Sequence, residues 1–192
     1  MAAEKALVDT ADTRLGHLHA IIERHSVKRG EFTLSSGRSS NFLFQLRQTT
    51  MMPEGAALIG EMIVDFMRRH QLRTVGGLEM GAVPIVAAVA VASYHADYPV
   101  DAFFVRKSAK AHGARERVDG HLVDGADVLL IDDVATTGGS ILRALEGLRE
   151  EYPHCQCSRA FSVIDREEGA SESLAEHGIA LAAIFGKSDF GL

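Results

Sequence analysis

The chain has no apolar run long enough to cross a membrane. The stretch from Ala82 to Ser93 comes closest, and a bilayer crossing needs about 20 such residues. The opening residues, MAAEKALVDTADTRLG, place no basic segment ahead of an apolar core, so no secretory leader is expected. Cysteine is scarce, with Cys155 and Cys157 in YPHCQCSR as its two instances. A metal site built on that pair and His154 would need a second ligand cluster at usable spacing, and none is present. Two free thiols in a reducing cytosol is the simpler expectation. Positive charge is also short: 20 Lys and Arg against 26 Asp and Glu leave a net charge of −6. That balance argues against broad binding to nucleic acid or anionic membrane, and makes any local basic cluster more informative. Finally, the phosphate loop G-x-x-x-x-G-K-[ST] of nucleotide hydrolases is missing. Gly76 and Gly81 have its spacing, but Ala82 and Val83 follow where lysine and a hydroxyl are required.

What is present suits one domain with a substantial core: 192 residues, 46% apolar and 24% charged. Leu15, Leu18, Ile21 and Ile22 share one face of a helix predicted from Asp12 to His25, with Lys28, Arg29 and Gly30 as its stop. EFTLSSGRSSNFLFQLRQ predicts two short strands around a Ser/Gly turn, with Phe42, Phe44 and Leu46 alternating in the second. Pro53 opens a helix from about 53 to 70. Strands and helices then take turns. Strands are predicted at Thr74 to Leu78, Val100 to Val105, Asp127 to Ile131, Ser158 to Ile164 and Ile179 to Phe185. Helices fall at Val83 to His95, Gly139 to Glu150 and Glu172 to His177. Several strands are nearly continuous apolar runs, the pattern of a parallel sheet covered by helices on both faces. The expected fold is α/β and doubly wound, with a mainly parallel central sheet flanked by helices and an extra N-terminal element. The domain is taken to span 1–192, with 1–50 supplying that element.

Three loops at the carboxyl ends of these strands carry candidate chemistry. In VLLIDDVATTGGS, residues 128–140, a buried-looking strand ends in Asp132 and Asp133. Those carboxylates can accept hydrogen bonds from vicinal ribose hydroxyls or hold a cation's water shell. Thr136, Thr137, Gly138, Gly139 and Ser140 then start a helix, where small side chains let backbone N–H groups approach a phosphate. A capped helix after a turn explains one hydroxyl and one glycine, but not an acid pair beside five small residues. The second loop, VRKSAKAHGARERVDG, gathers Arg106, Lys107, Lys110, His112, Arg115 and Arg117 with Glu116 the one acid among them. It is suited to a pyrophosphate that must be gripped and released, although a solvated charged loop is the ordinary fate of such a run. GGLEMGAVPI, residues 76–85, is a glycine-rich strand-to-helix turn that also exposes backbone N–H groups.

VLLIDDVATTGGS resembles the phosphoribosyl-pyrophosphate signature of type I phosphoribosyltransferases. Three further stretches are similar to orotate phosphoribosyltransferases: FTLSSGRSSNFLF (32–44) to their N-terminal hood, VRKSAKAHG (105–113) to their mobile catalytic loop, and VIDREEG (163–169) to the segment whose arginine meets the base. The likeness runs in order over nearly the whole chain, ending with FGKSDF. It implies transfer of ribose 5-phosphate from phosphoribosyl pyrophosphate to N1 of orotate, giving orotidine 5′-monophosphate for pyrimidine synthesis. By position, Asp132 and Asp133 would meet the ribose hydroxyls. Val134, Ala135, Thr136, Thr137, Gly138, Gly139 and Ser140 would cup the 5-phosphate. Arg106, Lys107, Lys110 and His112 would bind pyrophosphate, with Lys107, Lys110 and His112 taking part in catalysis beside the two acids. Arg166 would pair with the anionic base, its plain alternative being a surface salt bridge with Glu167 or Glu168, and Phe44 would keep an aromatic at the hood. The resemblance also implies a cytoplasmic homodimer whose 106–117 loop reaches the partner's site. Mg²⁺ would be held mainly by the substrate, with Asp132 or Asp133 joining through water.

There are departures from the family. Ser35 stands where many relatives have a lysine near orotate, Gly81 where some have a lysine in the pyrophosphate loop, and Leu43 replaces an aromatic often found on the base. One missing charged contact costs roughly 1.5–3 kcal/mol. Two rivals are a purine phosphoribosyltransferase and a non-catalytic regulator that senses the donor while binding nucleic acid. The hood and VIDREEG argue against the first. The acidic balance and the basic loop argue against the second.

Overall fold

The apolar runs pair as the alternation of strand and helix predicts. The computed structural model describes residues 4–5, 12–33, 39–108 and 116–192. In chain order its strands are β1 (Glu4–Lys5), β2 (Val27–Thr33), β3 (Ser39–Phe44), β4 (Thr74–Gly77), β5 (Asp101–Val105), β6 (Val118–Gly120), β7 (Asp127–Ala135), β8 (Gln156–Asp165) and β9 (Ala180–Gly186). The helices are α1 (Thr13–His25), α2 (Arg47–Thr50), α3 (Pro53–Arg69), α4 (Ala82–His95), α5 (Gly139–Glu151) and α6 (Ala170–Ala175), with a 3₁₀ turn at Lys187–Phe190. The main sheet runs β1-β9-β8-β7-β4-β5-β6, parallel except for the β5–β6 pair.

Period-two alternation explains why its strands read as unbroken apolar runs. On β7, Val128 and Leu130 enter the core beneath α5 and α6, while Leu129 and Ile131 enter the core beneath α1, α3 and α4. All four are essentially inaccessible to water, and truncating one such leucine to alanine costs about 2–5 kcal/mol. β4 is followed across α4 by β5 on one side, whereas β7 lies on its other side. The chain therefore leaves the sheet in opposite directions from β4 and β7. A crevice opens between their carboxyl ends, the place where doubly wound sheets bind ligands.

Helix α1 begins at Asp12, whose carboxylate accepts the Arg14 N–H at 2.9 Å, and buries Leu18, Ile21 and Ile22. Its end differs from the expectation. Lys28, Arg29 and Gly30 are not a helix stop but part of β2, and the helix closes at Ser26, whose N–H reaches Ile22 O. The Ser26 hydroxyl is tied to Thr49 at 2.7 Å in the interior, which turns the chain there. β2 pairs antiparallel with β3 as a separate two-stranded ribbon, with a bulge between Arg29 and Phe32. Gly30 takes a φ of +148° at that bulge, a conformation that suits glycine. The turn between the strands, with Ser35, lies outside the described residues. The ribbon is pinned to the body by the C-terminal turn: Arg29 donates to Phe190 O at 2.9 Å, and Phe44 meets the Phe190 ring at 5.6 Å.

Candidate active site

β7 is four residues longer than its apolar run suggests, and this places the acid pair. The expected end at Ile131 is wrong because pairing with β8 continues through Asp132–Ser162 and Val134–Ile164 to Ala135–Asp165. Asp132 and Asp133 thus stand on a rigid strand rather than in a loop. Asp132 is 9% exposed, and its Oδ1 accepts the Asp133 N–H at 3.1 Å. Asp133 Oδ1 accepts the Val134 N–H at 2.9 Å. Burial, then the neighbouring charge of Asp133, push the Asp132 carboxyl up to about 8, with the Ser140 hydroxyl pulling the other way. Gly81 lies directly against both acids. A β-carbon there would sit 2.6 Å from Asp133 Oδ1 and 3.1 Å from Asp132 Oδ1.

These residues face a crevice of about 610 Å³. One wall is Asp132, Asp133, Val134 and Ser140; the others are Leu78 to Gly81, Lys107, and the segment from Leu43 to Gln48 that leaves the ribbon. Beyond the acids, Gly138 adopts a left-handed φ of +76° and opens α5. Among the described residues no side chain caps that helix, so its first-turn N–H groups and the helix dipole are left for an anion. The basic excursion begins at the crevice edge, where the Lys107 N–H donates to Glu79 Oε1 at 2.9 Å.

The candidate residues divide by position. Lys107, Asp132, Asp133, Val134, Ser140 and Phe44 line the one crevice. Ala135, Thr136, Thr137, Gly138 and Gly139 follow on its α5 side. Arg106 is instead turned to β6, 2.7 Å from Asp119 and 4.0 Å from Glu79. Lys110, His112 and Arg115 lie outside the described residues. Arg166 lines a second hollow of about 840 Å³ with Glu31 to Thr33, Ser39 to Phe42 and Glu168. Its guanidinium binds Glu168 at 2.8 and 2.9 Å and lies 4.5 Å from the Phe42 ring centre. The salt bridge with Glu168 therefore exists but is not a surface one, since Arg166 is 5% exposed. Phe44 is packed edge-on to Phe42 and Phe190, so the aromatic that faces Arg166 is Phe42. Strand alternation groups the two rings but cannot say which one meets the arginine. Glu79, Arg47, Gln45 and Gln48 also escaped notice, because their placement depends on chain segments far apart in sequence.

The thiols stay apart from this chemistry. Cys155 is buried, His154 turns to Asp124 at 2.6 Å, and burial pushes the Cys157 thiol up to about 11. Among the described residues, no group of three His, Cys, Asp or Glu side chains gathers to hold a metal. No described helix is long and apolar enough to cross a membrane.

A crevice at the switch point, an acid pair on its strand and an uncapped helix start define the class, and comparison with known proteins agrees. The family model for the phosphoribosyl transferase domain matches residues 49–177. The chain belongs to the phosphoribosyltransferases. An orotate phosphoribosyltransferase of Bradyrhizobium sp. (strain ORS 278) is 44% identical over 174 residues, covering 88% of this chain and 93% of that protein. The crystal structure of Mycobacterium tuberculosis orotate phosphoribosyltransferase with Fe(III) dicitrate superposes with a TM-score of 0.81 at 35% identity, covering 93% and 99% of the two chains. The same enzyme in complex with 5-phospho-α-D-ribosyl 1-diphosphate gives 0.78 at 32% identity over the same shares. Within the phosphoribosyltransferases, this chain is a member of the orotate phosphoribosyltransferase family.

Proposed function

We propose that the chain transfers ribose 5-phosphate from 5-phosphoribosyl 1-diphosphate to N1 of orotate in pyrimidine synthesis, with residues 1–192 acting as one catalytic domain. The observation that carries this is the crevice where Asp132 and Asp133 face Lys107 beside the open start of α5. The bond from ribose C1 to the diphosphate oxygen breaks, its electron pair leaves with pyrophosphate, and the orotate N1 pair forms the new C1–N1 bond. The orotate ring is already anionic, so no strong general base is required.

Each wall has a part in this scheme. The N–H groups opening α5, with the hydroxyls of Thr136, Thr137 and Ser140, seat the 5-phosphate. Asp132 and Asp133 accept the ribose hydroxyls and hold C1 in line between the two nitrogen and oxygen partners. Lys107, together with Arg106, Lys110 and His112 of the same basic run, stabilises the charge that builds on the leaving diphosphate. Arg166, buried against Phe42, pairs with the anionic base and favours orotate over a neutral purine. Mg²⁺ would be held mainly by the diphosphate, with Asp133, or Asp132 once ionised, joining its shell through water, a role that a hard carboxylate oxygen fits. When bound, Mg²⁺ neutralises charge on the leaving group. The active unit is a homodimer in which the 106–117 loop reaches the partner's site. Two unbridged thiols suit a reducing compartment, consistent with a cytoplasmic enzyme.

The direct test is orotate consumption followed by ultraviolet absorbance, with donor and Mg²⁺ present or omitted in turn. Loss of absorbance in the complete mixture alone supports the reaction; its absence there, with adenine or hypoxanthine consumed instead, refutes it. Lys110→Ala is expected to lower turnover roughly 100- to 1,000-fold, the range for losing one preorganised charge donor, with the melting temperature unmoved. A drop in melting temperature matching the loss of rate would assign Lys110 to folding instead.

A further inference from the structure

The crevice has a cation on its ribbon side that no feature of the sequence marked out. Arg47, the first residue of α2, lines the space shared by Lys107, Asp132 and Asp133. It is exposed, and among the described residues it makes no ion pair. The other arginines near the two hollows are engaged: Arg106 with Asp119 and Glu79, and Arg166 with Glu168.

Charge in the crevice makes this unpaired guanidinium significant. The described walls carry Glu79 and Asp133, joined by Asp132 once it is ionised, against Lys107 and Arg47. A donor bearing a diphosphate brings several more negative charges, so each free cation matters. In this chain Gly81 brings no charge, and a β-carbon there would meet Asp133 Oδ1 at 2.6 Å, so a side chain at 81 would have to displace that carboxylate.

We infer that Arg47 binds the diphosphate of the donor, supplying across the crevice the positive charge that Gly81 does not. The inference rests on the donor reading given above. The 5-phosphate has its own seat of N–H groups and hydroxyls at α5, and Thr136 to Gly139 do not line the crevice. The ribose hydroxyls have the two acids. What remains beside Arg47 and Lys107 is the diphosphate end. A guanidinium suits it because its planar fork meets two phosphate oxygens at once.

The test is calorimetric binding of magnesium pyrophosphate and, separately, of ribose 5-phosphate to the 192-residue chain and its Arg47 variants. Arg47→Ala should weaken pyrophosphate roughly 10- to 100-fold, the size expected for a lost charge-assisted pair. The donor KM should rise in parallel, while ribose 5-phosphate affinity and the melting temperature hold. Arg47→Lys should recover part of the pyrophosphate affinity. Unchanged pyrophosphate affinity in Arg47→Ala would overturn the inference, as would equal weakening of pyrophosphate and ribose 5-phosphate. Failure of the proposed reaction is distinct, because it shows in the unmodified chain as pyrophosphate binding without orotate turnover.

Discussion

Gly81→Ala is expected to lower orotate turnover roughly 100-fold or more while leaving the chain folded, an effect of the size seen when one preorganised transition-state contact is lost. The backbone itself tolerates the change, since Gly81 has φ −60° and ψ −45°, values that alanine adopts freely. The obstacle is the acid pair. The new methyl group would meet Asp133 Oδ1 at 2.6 Å, Asp133 Cγ at 3.0 Å and Asp132 Oδ1 at 3.1 Å. An aspartate side chain is short, and these two are held by hydrogen bonds to the N–H groups of Asp133 and Val134. Relief therefore comes from moving the carboxylates out of the positions they hold in the crevice, where the proposed reaction needs them. Steady-state kinetics beside circular dichroism and thermal melting would check this. A folded variant with undiminished turnover would mean that the acids are not needed where they stand.

Asp132→Asn should separate stability from activity. The Asp132 carboxyl is raised from an ordinary 3.8 to about 8 by burial and by the charge of Asp133. The folded chain thus holds this proton more tightly than the unfolded chain does. The stability contributed by the protonated form is present in full below about pH 4 and is lost progressively as pH rises to about 8. About 4 pH units at ~1.4 kcal/mol each set a ceiling of about 6 kcal/mol. The effective dielectric at a crevice wall lowers this well below the ceiling, and a gain of about 2 kcal/mol is the expected size for asparagine at pH 8. For a chain of this length that is roughly 4–8 °C in melting temperature. The gain should shrink steadily between pH 8 and pH 5. A gap that does not narrow over that range would show that repulsion between carboxylates is not its source.

The same substitution should weaken the donor by roughly 10- to 100-fold, the cost of one charged hydrogen bond. In the unmodified chain, donor affinity should improve as pH rises towards about 8, because the ligand's hydroxyls bind the ionised carboxylate. Titration calorimetry in buffers of different ionisation heat would register the released proton. Such a site trades stability of the ligand-free chain for a charge poised at the ribose.

The class of fold was legible because continuous apolar strands alternate with helices, a pattern that depends only on local spacing. The acid pair and helix start of VLLIDDVATTGGS were legible for a related reason: its acids, small residues and helix start are contiguous, so one stretch displays the strand end and the start of α5 together. Local pattern misled where pairing decides. Hydropathy ends β7 at Ile131, but a matching strand in β8 carries it to Ala135 and stiffens the acids. Lys28 to Gly30 read as the stop of a helix, yet they pair with β3, because Ser26 is held by Thr49 from another segment.

By itself, then, the sequence determined the α/β alternation, the acid pair, the glycine-rich helix start beside it and the clustering of basic residues between Arg106 and Arg117, all of which are set by neighbours along the chain. Tertiary structure alone decided that Phe42 rather than Phe44 faces a buried Arg166. It also decided that Arg106 is held by Asp119, that Gly81 packs against both acids, and that Arg47 lines the same crevice as the acids. The physical reason is common to all four. Each depends on which side chains meet when β4 and β7 part at the switch point and the N-terminal ribbon folds over the gap, and no spacing along the chain encodes those distances.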